Sequence, residues 1–355
     1  MARFWAMTRA KSEAARKEAM RIAPYSRLNI HLILYSVVQR SITFTWPVIA
    51  ERIVGPLQRA GMHMRTSIVT ADPGNHSIDG CQLSLDNLTV VPYDDLQIVP
   101  DRIADAEISK HCTHSLALCP MFSVQKLSLS TRRNAMRMQY MEAETGRFLQ
   151  RARAMGQIDV AIVMLGDAMP VVNVSVADIL AASMRNSSVF TSGIGNAGGA
   201  TNGYYVGQPE PLSRLLLRND YYMRGKLQVQ RGRSYEANLL AAFEQFSVQL
   251  LLAHKSMPFF KIRADNYIAS YMLPLIQRAY PPLPKDEMAH VLNEHSRVSA
   301  AMRPNGSHTC MSGSPLQAGH VGGAQADGIS LKSDVPEIPR PKPLGTLKPD
   351  VHVLY

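Results

Sequence analysis

Asp167 stands where a carboxylate could do chemistry. It follows Ile158-Asp-Val-Ala-Ile-Val-Met-Leu165, an apolar run closed by Gly166. Such a run reads as a strand buried on both faces of a parallel sheet. A carboxylate just past it sits at the carboxyl edge of that sheet, where open α/β folds bind their ligands. It could there hold a divalent cation bound to a diphosphate, since Mg²⁺ and Mn²⁺ take oxygen ligands. The plainer alternative is a turn residue beside a glycine.

Other motifs offer less. Gly193, Gly195 and Gly198 match G-x-G-x-x-G. A dinucleotide fingerprint needs a helix opening inside the motif, and here Gly199, Asn202 and Gly203 prolong a loop. A flexible loop beside a site is the better reading. His111, Cys112, His114 and Cys119 are four possible ligands, but their spacing matches no standard zinc pattern. Asn75, Asn87, Asn173, Asn186 and Asn305 begin N-x-[ST] triplets, which read as chance without a visible signal peptide. Arg132-Arg133 and Arg231-Gly-Arg233 lack interleaved aromatics, so no nucleic-acid partner is expected.

The elements that must position these groups alternate. Residues 28–38 read as a buried strand. A helix follows over 45–60, with Pro47 near its start and Gly61 past its end. Residues 65–70 read as a second strand, and this strand–helix–strand opening belongs to an α/β domain. Short extended pieces at 90–93 and 96–100 interrupt an irregular stretch over 71–125. A long helix over 129–155 precedes the strand at 158–165. A helix at 176–185, a strand at 188–191 and a Gly-rich loop at 193–203 come next. Helices are expected at 209–218, 234–253, 267–278 and 285–302, with a last strand over 259–263.

Composition bounds the whole. The chain has 355 residues, 46% hydrophobic and 19% charged, which excludes wholesale disorder. Four cysteines exclude a disulfide scaffold. No apolar run is long enough to span a membrane. The net charge is +10. Residues 1–27 hold seven basic and two acidic residues, and residues 300–355 hold five and four. Half of the excess therefore belongs to a basic helical leader, 1–27. That leader is open to two readings, an exposed amphipathic helix or an organelle-targeting segment. Residues 303–355 are rich in Gly, Ser and Pro and read as a disordered tail. A core over 28–302 is expected between them. A cytoplasmic location is the default expectation, with leader or tail available to a partner protein or an anionic surface.

Several of these pieces recur, in this order, in a known family. The chain resembles glycosyltransferases of algae, protists and large viruses that have a GT-A-like, nucleotide-diphospho-sugar transferase fold. The first match runs from Leu32 through Tyr35-Ser36, Arg40-Ser41, Thr45, Pro47 and Ile49 to Ala60-Gly61. Asn134 to Tyr140 resembles an Asn-x-x-Arg helix. Ile158-Asp159 to Asp167 resembles a strand ending in Arg-Pro-Asp. Asn202-Gly-Tyr-Tyr-Val-Gly207 resembles Asn-Asp-Arg-Phe-x-x-Gly. Ser234-Tyr-Glu236 resembles a His/Ser-x-Glu helix start, and Phe260-Lys-Ile-Arg263-Ala264 the closing strand. The matches cover about 28–266.

The resemblance implies an α/β fold with a mostly parallel, Rossmann-like central sheet flanked by helices. It implies sugar transfer from a nucleotide-diphosphate donor to a glycan, protein or small-molecule acceptor. Asp167 would hold Mn²⁺ or Mg²⁺. Ser36, Arg40, Ser41, Asn134, Arg137, Asn202 and Arg263 would contact the nucleotide sugar. Glu236 would serve as general base or orient the acceptor. Two departures matter. The Arg of Arg-Pro-Asp is Leu165 here, and Asn-Asp-Arg has become Asn202-Gly203-Tyr204. A lost phosphate-facing Arg forfeits charge-assisted hydrogen bonds of about 1.5–3 kcal/mol each. A catalytically degenerate binding or structural module is therefore the alternative.

Overall fold

The computed structural model describes residues 2–22, 27–36, 42–72, 77–78, 81–82, 85–111, 129–156, 158–194, 200–224, 235–262, 272–278, 282–302 and 351–353. The expected tail lies outside these residues, apart from 351–353. So does the cysteine–histidine group past His111.

The strands are β1 (Asn29–Ser36), β2 (His63–Asp72), β3 (Ser77–Ile78), β4 (Cys81–Gln82), β5 (Asp95–Pro100), β6 (Val160–Leu165), β7 (Ala168–Pro170), β8 (Ser188–Thr191), β9 (Tyr204–Gly207), β10 (Gln249–Leu252), β11 (Phe259–Lys261) and β12 (Val351–Val353). The helices are α1 (Ala2–Ile22), α2 (Ile42–Ile49), α3 (Gly55–Arg59), α4 (Asp101–His111), α5 (Leu129–Met155), α6 (Val176–Ser183), α7 (Pro209–Leu216), α8 (Arg218–Met223), α9 (Tyr235–Gln245), α10 (Met272–Gln277) and α11 (Lys285–Met302). A π-helical turn, Ala50–Val54, joins α2 to α3.

The expected α/β architecture is present. A seven-stranded sheet has the order β10-β8-β9-β6-β1-β2-β5, and β12 extends it beside β5. Within the seven strands, β9 runs against the other six. β1 and β6 lie at the centre, paired in parallel over Ile30–Tyr35 and Val160–Leu165. All six residues of β6 are buried, so both faces of the strand are covered. That is why its sequence is continuously apolar rather than alternating.

Helices flank the sheet. α5 rises through 27 residues, roughly 40 Å, and packs across β1 and β2 and against α7. Gly146 permits its approach to α7, because a Cβ there would stand 3.0 Å from Leu216 and Leu217 side-chain atoms. Arg52, on the π-helical turn, is buried and donates to the carbonyls of Pro170 (2.9 Å) and Val171 (2.6 Å). It also pairs with Glu294 of α11 at 3.2 Å, tying three segments together.

Four expectations need correction. The helix expected over 234–253 ends at Gln245, and Gln249–Leu252 is a strand on β8. The loop expected to 203 is followed by strand β9, which the sequence reading lacked. The closing strand at 259–263 pairs with β7 in a separate two-stranded ribbon. Val351–Val353, placed in the unstructured tail, pairs with the outer edge of β5.

The basic leader is helical as expected, but it is packed onto the body rather than held apart. Trp5, Ser12, Ala15 and Ala19 are buried, and α1 lies against α6 and β10. Ser12 Oγ accepts the amide hydrogen of Leu252 at 2.9 Å. Arg16 donates to the Leu252 carbonyl and, at 2.5 Å, to Asp178. Asp178 in turn accepts from the His254 amide at 2.7 Å. Two polar side chains of α1 thus satisfy backbone groups of the outermost strand. No described helix is long and apolar enough to cross a membrane.

Candidate functional site

The order of the sheet dictates where a ligand should sit. From β1 the chain moves outward to β2 and β5, and then returns through α5 to β6 on the other side of β1. The reversal leaves a switch point between the carboxyl ends of β1 and β6, the usual crevice of an open α/β sheet. Ser36 ends β1 and Asp167 follows β6. Because β9 runs antiparallel to β6, its preceding residues Asn202 and Gly203 reach the same edge.

Short hydrogen bonds lock these segments together. The Gly166 amide donates to the Tyr35 carbonyl at 2.8 Å, and Leu165 donates to Gly203 at 3.3 Å. Thr45 Oγ1 donates to the Gly166 carbonyl at 2.5 Å, and the Ile262 amide to the Asp167 carbonyl at 2.9 Å. The Ala200 amide donates to the Glu236 carbonyl at 2.9 Å, which seats the start of α9 on the loop before Asn202. Asp167, Asn202 and Glu236 are thereby brought to one edge of the sheet by adjoining segments. Asp167 is half-buried, with its Oδ1 atom shielded from solvent, and Glu236 is half-buried.

The remaining expected site residues divide. Ser36 holds its place at the end of β1, and Asn134 lies near the start of α5. Arg40, Ser41 and Arg263 lie outside the described residues. Arg137 is engaged by α4, at 3.0 Å from Asp101 and 2.6 Å from Asp105. These pairs give it a structural task between α4 and α5.

Sequence reading missed a buried polar cluster behind the crevice. The Tyr35 hydroxyl lies 2.7 Å from the Asn202 carbonyl and 3.0 Å from Glu142 Oε1. Glu142 is 1% exposed and pairs with Arg218, 2% exposed. Arg218 also donates to the Leu215 carbonyl at 2.9 Å. Burial pushes the Glu142 carboxyl above its ordinary range, against the pull of Arg218, Tyr35 and Asn202. Burial and the neighbouring Glu142 likewise hold the Tyr35 hydroxyl well above its usual value. The cluster therefore holds the Asn202 backbone through Tyr35, from groups spread over β1, α5 and α8. Tyr35 was legible as a phenol in an aliphatic strand. Glu142 and Arg218 carried no local signal.

Gly203 is closely packed. A Cβ built there would penetrate the ring of Phe259, which packs against the bare α-carbon. Gly203→Ala should therefore destabilise the fold by about 1–3 kcal/mol, the usual range for overpacking. Chemical denaturation of Gly203→Ala and of Gly203→Ala/Phe259→Leu tests this. Failure of the second substitution to recover stability would assign the loss elsewhere.

A divalent cation meets few protein oxygens here. No group of three or more His, Cys, Asp or Glu side chains suited to a metal occurs among the described residues. Glu142 is committed to Arg218. Asp167 at the switch point fits a hydrated cation that a diphosphate brings with it, a mode Mg²⁺ uses with one or two carboxylates. It does not form an all-protein cage. No protein-family model matches the chain, and no curated protein matches it.

Proposed function

We propose that the crevice between β1 and β6 binds a nucleotide-diphospho-sugar, and that the chain transfers the sugar to a hydroxyl-bearing acceptor. The observation that carries this reading is the assembly of Asp167, Asn202 and Glu236 at the carboxyl edge of the switch point. The resemblance over 28–266 supplies the substrate class, and a mostly parallel α/β sheet is the frame it implies.

In the transfer, the bond between the anomeric carbon and the diphosphate oxygen breaks, and one to the acceptor oxygen forms. The acceptor hydroxyl proton must leave as that bond forms, and Glu236 is the carboxylate assigned to take it. Asn202 is 7% exposed and its Nδ2 donates to Met138 Sδ at 3.5 Å, so its part is to shape the floor under the donor through the backbone that Tyr35 holds. Asp167 would hold Mn²⁺ or Mg²⁺, and the charge such an ion supplies would favour release of the diphosphate.

A second reading has its own observation. The packing of Phe259 on Gly203 leaves no room for a side chain where the resembled motif has a carboxylate. This favours a module that binds a nucleotide sugar without turning it over.

Calorimetric titration of the full chain with UDP- and GDP-sugars, with and without Mn²⁺, tests both. Micromolar to millimolar, Mn²⁺-dependent affinity is expected, weakened at least tenfold by Asp167→Asn, about 1.4 kcal/mol. Slow release of the nucleoside diphosphate, lost in Glu236→Gln, would mark the transferase. Binding without release would leave the module. No binding of any donor would overturn both.

A further inference from the structure

A cavity lies at the same carboxyl edge, at the far end of the sheet. It has a volume of about 360 Å³ and opens between α1, the residues that follow β10, and Pro282 and Pro284. Its strand, β10, is separated from β1 by β8, β9 and β6. At about 4.8 Å per strand that is a separation of roughly 19 Å, too far to share a ligand with the switch-point crevice. The volume is at the small end of the range for organic-ligand sites.

Its polar lining is cationic. Arg9, Arg16, Lys17 and Lys255 face it together with His254, against Glu13. These cations differ in availability. Arg16 is fixed by Asp178, which is 2% exposed. Arg9 pairs with Glu13 while both remain about half exposed, and Lys255 pairs with Glu287 while 42% exposed. The exposed Arg9 pair holds by about 0–1 kcal/mol, so an entering anion can recruit Arg9. Lys255 keeps its pair with Glu287, which is only 14% exposed, and offers an anion its remaining ammonium hydrogens. Lys17 is exposed and makes no ion pair with a described residue. Burial, with Arg16 and Lys255 nearby, lowers the His254 pKa, so the ring enters as a neutral hydrogen-bonding group.

The backbone at this wall is strained. Lys255, Ser256 and Met257 have φ of 51°, 61° and 38° in succession. L-residues visit this left-handed region singly, at roughly 1–2 kcal/mol each. Three in a row persist because their surroundings hold them. Ser192 Oγ donates towards the Ser256 and Met257 carbonyls at 3.0 and 3.1 Å, and the Gly193 amide donates to Ser256 at 2.9 Å. Strain of this kind concentrates at ligand clamps. Here it sets Lys255 beside α1 rather than continuing the strand.

We infer that this cavity is a binding site for a small phosphate ester, its dianionic phosphate met by Lys17, Lys255 and Arg9 and its apolar body lying against Pro282 and Pro284. Several cations suit a dianion better than a carboxylate, and the proline rings offer a flat, uncharged wall. The inference stands apart from the nucleotide-sugar reading, because it shares no residue with the switch-point crevice.

Titration of the full chain with phenyl phosphate, followed by calorimetry, tests it. Saturable binding is expected, with phenol binding at least tenfold more weakly. Lys17→Glu should weaken phenyl phosphate at least tenfold, and Asp167→Asn should leave it unchanged. Lys17 is exposed, so the variant should keep the parent's thermal midpoint; Lys255→Ala gives a second measure from another element. Absence of saturable binding, or affinity indifferent to both lysine variants, would overturn the site. Loss in Asp167→Asn would place the ligand in the other crevice and overturn it equally.

Discussion

Arg218→Met is expected to destabilise the protein by about 3–5 kcal/mol, as for other charges orphaned in a protein interior. Glu142 and Arg218 are 1% and 2% exposed, so water does not reach either ion. Removing the guanidinium leaves Glu142 to be protonated or buried as an unpaired anion. Its carboxyl is already held up by burial, and Arg218 is the strongest pull in the other direction. Tyr35 has one hydroxyl hydrogen to share between Glu142 and the Asn202 carbonyl, so a protonated Glu142 would change that sharing. The double variant Glu142→Leu/Arg218→Met removes both ions together. It should be more stable than Arg218→Met alone, because a buried pair often gains little over apolar replacements. Urea denaturation of the two singles and the double gives the coupling directly. A cost below about 1 kcal/mol for Arg218→Met would mean that the pair is hydrated.

The second large effect is a pH dependence seated in β1. His31 lies in the middle of the central strand, 1% exposed, with its ring 5.8 Å from that of Phe148. Ser67 Oγ donates to Asp95 at 3.0 Å, so the 2.6 Å contact between His31 Nε2 and Ser67 Oγ uses the Nε2 hydrogen. Nδ1 is then the bare nitrogen, and it is buried without a hydrogen-bond partner among the described residues. Protonating it would place a new donor in an apolar setting. Burial first, and then Arg65, lower the His31 pKa from 6.5 to about 4, against a smaller opposing effect of Asp95.

The folded pKa lies below the unfolded one, so the unfolded chain takes up the proton first. The contribution is complete above pH 6.5 and is lost as pH falls towards 4. The whole window is worth about 3 kcal/mol at 1.36 kcal/mol per unit. Urea denaturation between pH 7 and pH 4 should show this fall in the parent chain. His31→Gln should lack that component, so the difference between the two should shrink as pH decreases. A difference that stays constant with pH would remove His31 as its source.

Much of the framework was legible along the chain. The long helix Leu129–Met155, strand Ser188–Thr191 and helix Lys285–Met302 match the residues expected from periodicity and turn chemistry. These signals are local, since a helix or strand writes its period into consecutive residues. Gln249–Leu252 defeated that logic. Its leucines suit a helix equally well, and pairing with β8 decides otherwise. The glycines around Asn202 read as loop, yet Tyr204–Gly207 is a buried strand wedged between β6 and β8. The leader read as a charged appendage, because nothing in residues 2–22 says that Ser12 and Arg16 meet Leu252.

The same division holds at the crevice. Sequence by itself determined that an acidic residue follows a buried strand, and that the domain is α/β. It determined also that half of the charge excess lies in a short N-terminal helix. Tertiary structure decided that Asp167, Asn202 and Glu236 share one edge, since that depends on the reversal of strand order and on β9 running against its neighbours. It decided that Tyr35, Glu142 and Arg218 form one buried cluster, although Tyr35 and Glu142 are 107 residues apart and Glu142 and Arg218 are 76 apart. The physical reason is common to all these cases. Helical and strand periods are written in neighbouring residues, whereas the burial of a charge is set by partners that only the folded chain brings within reach.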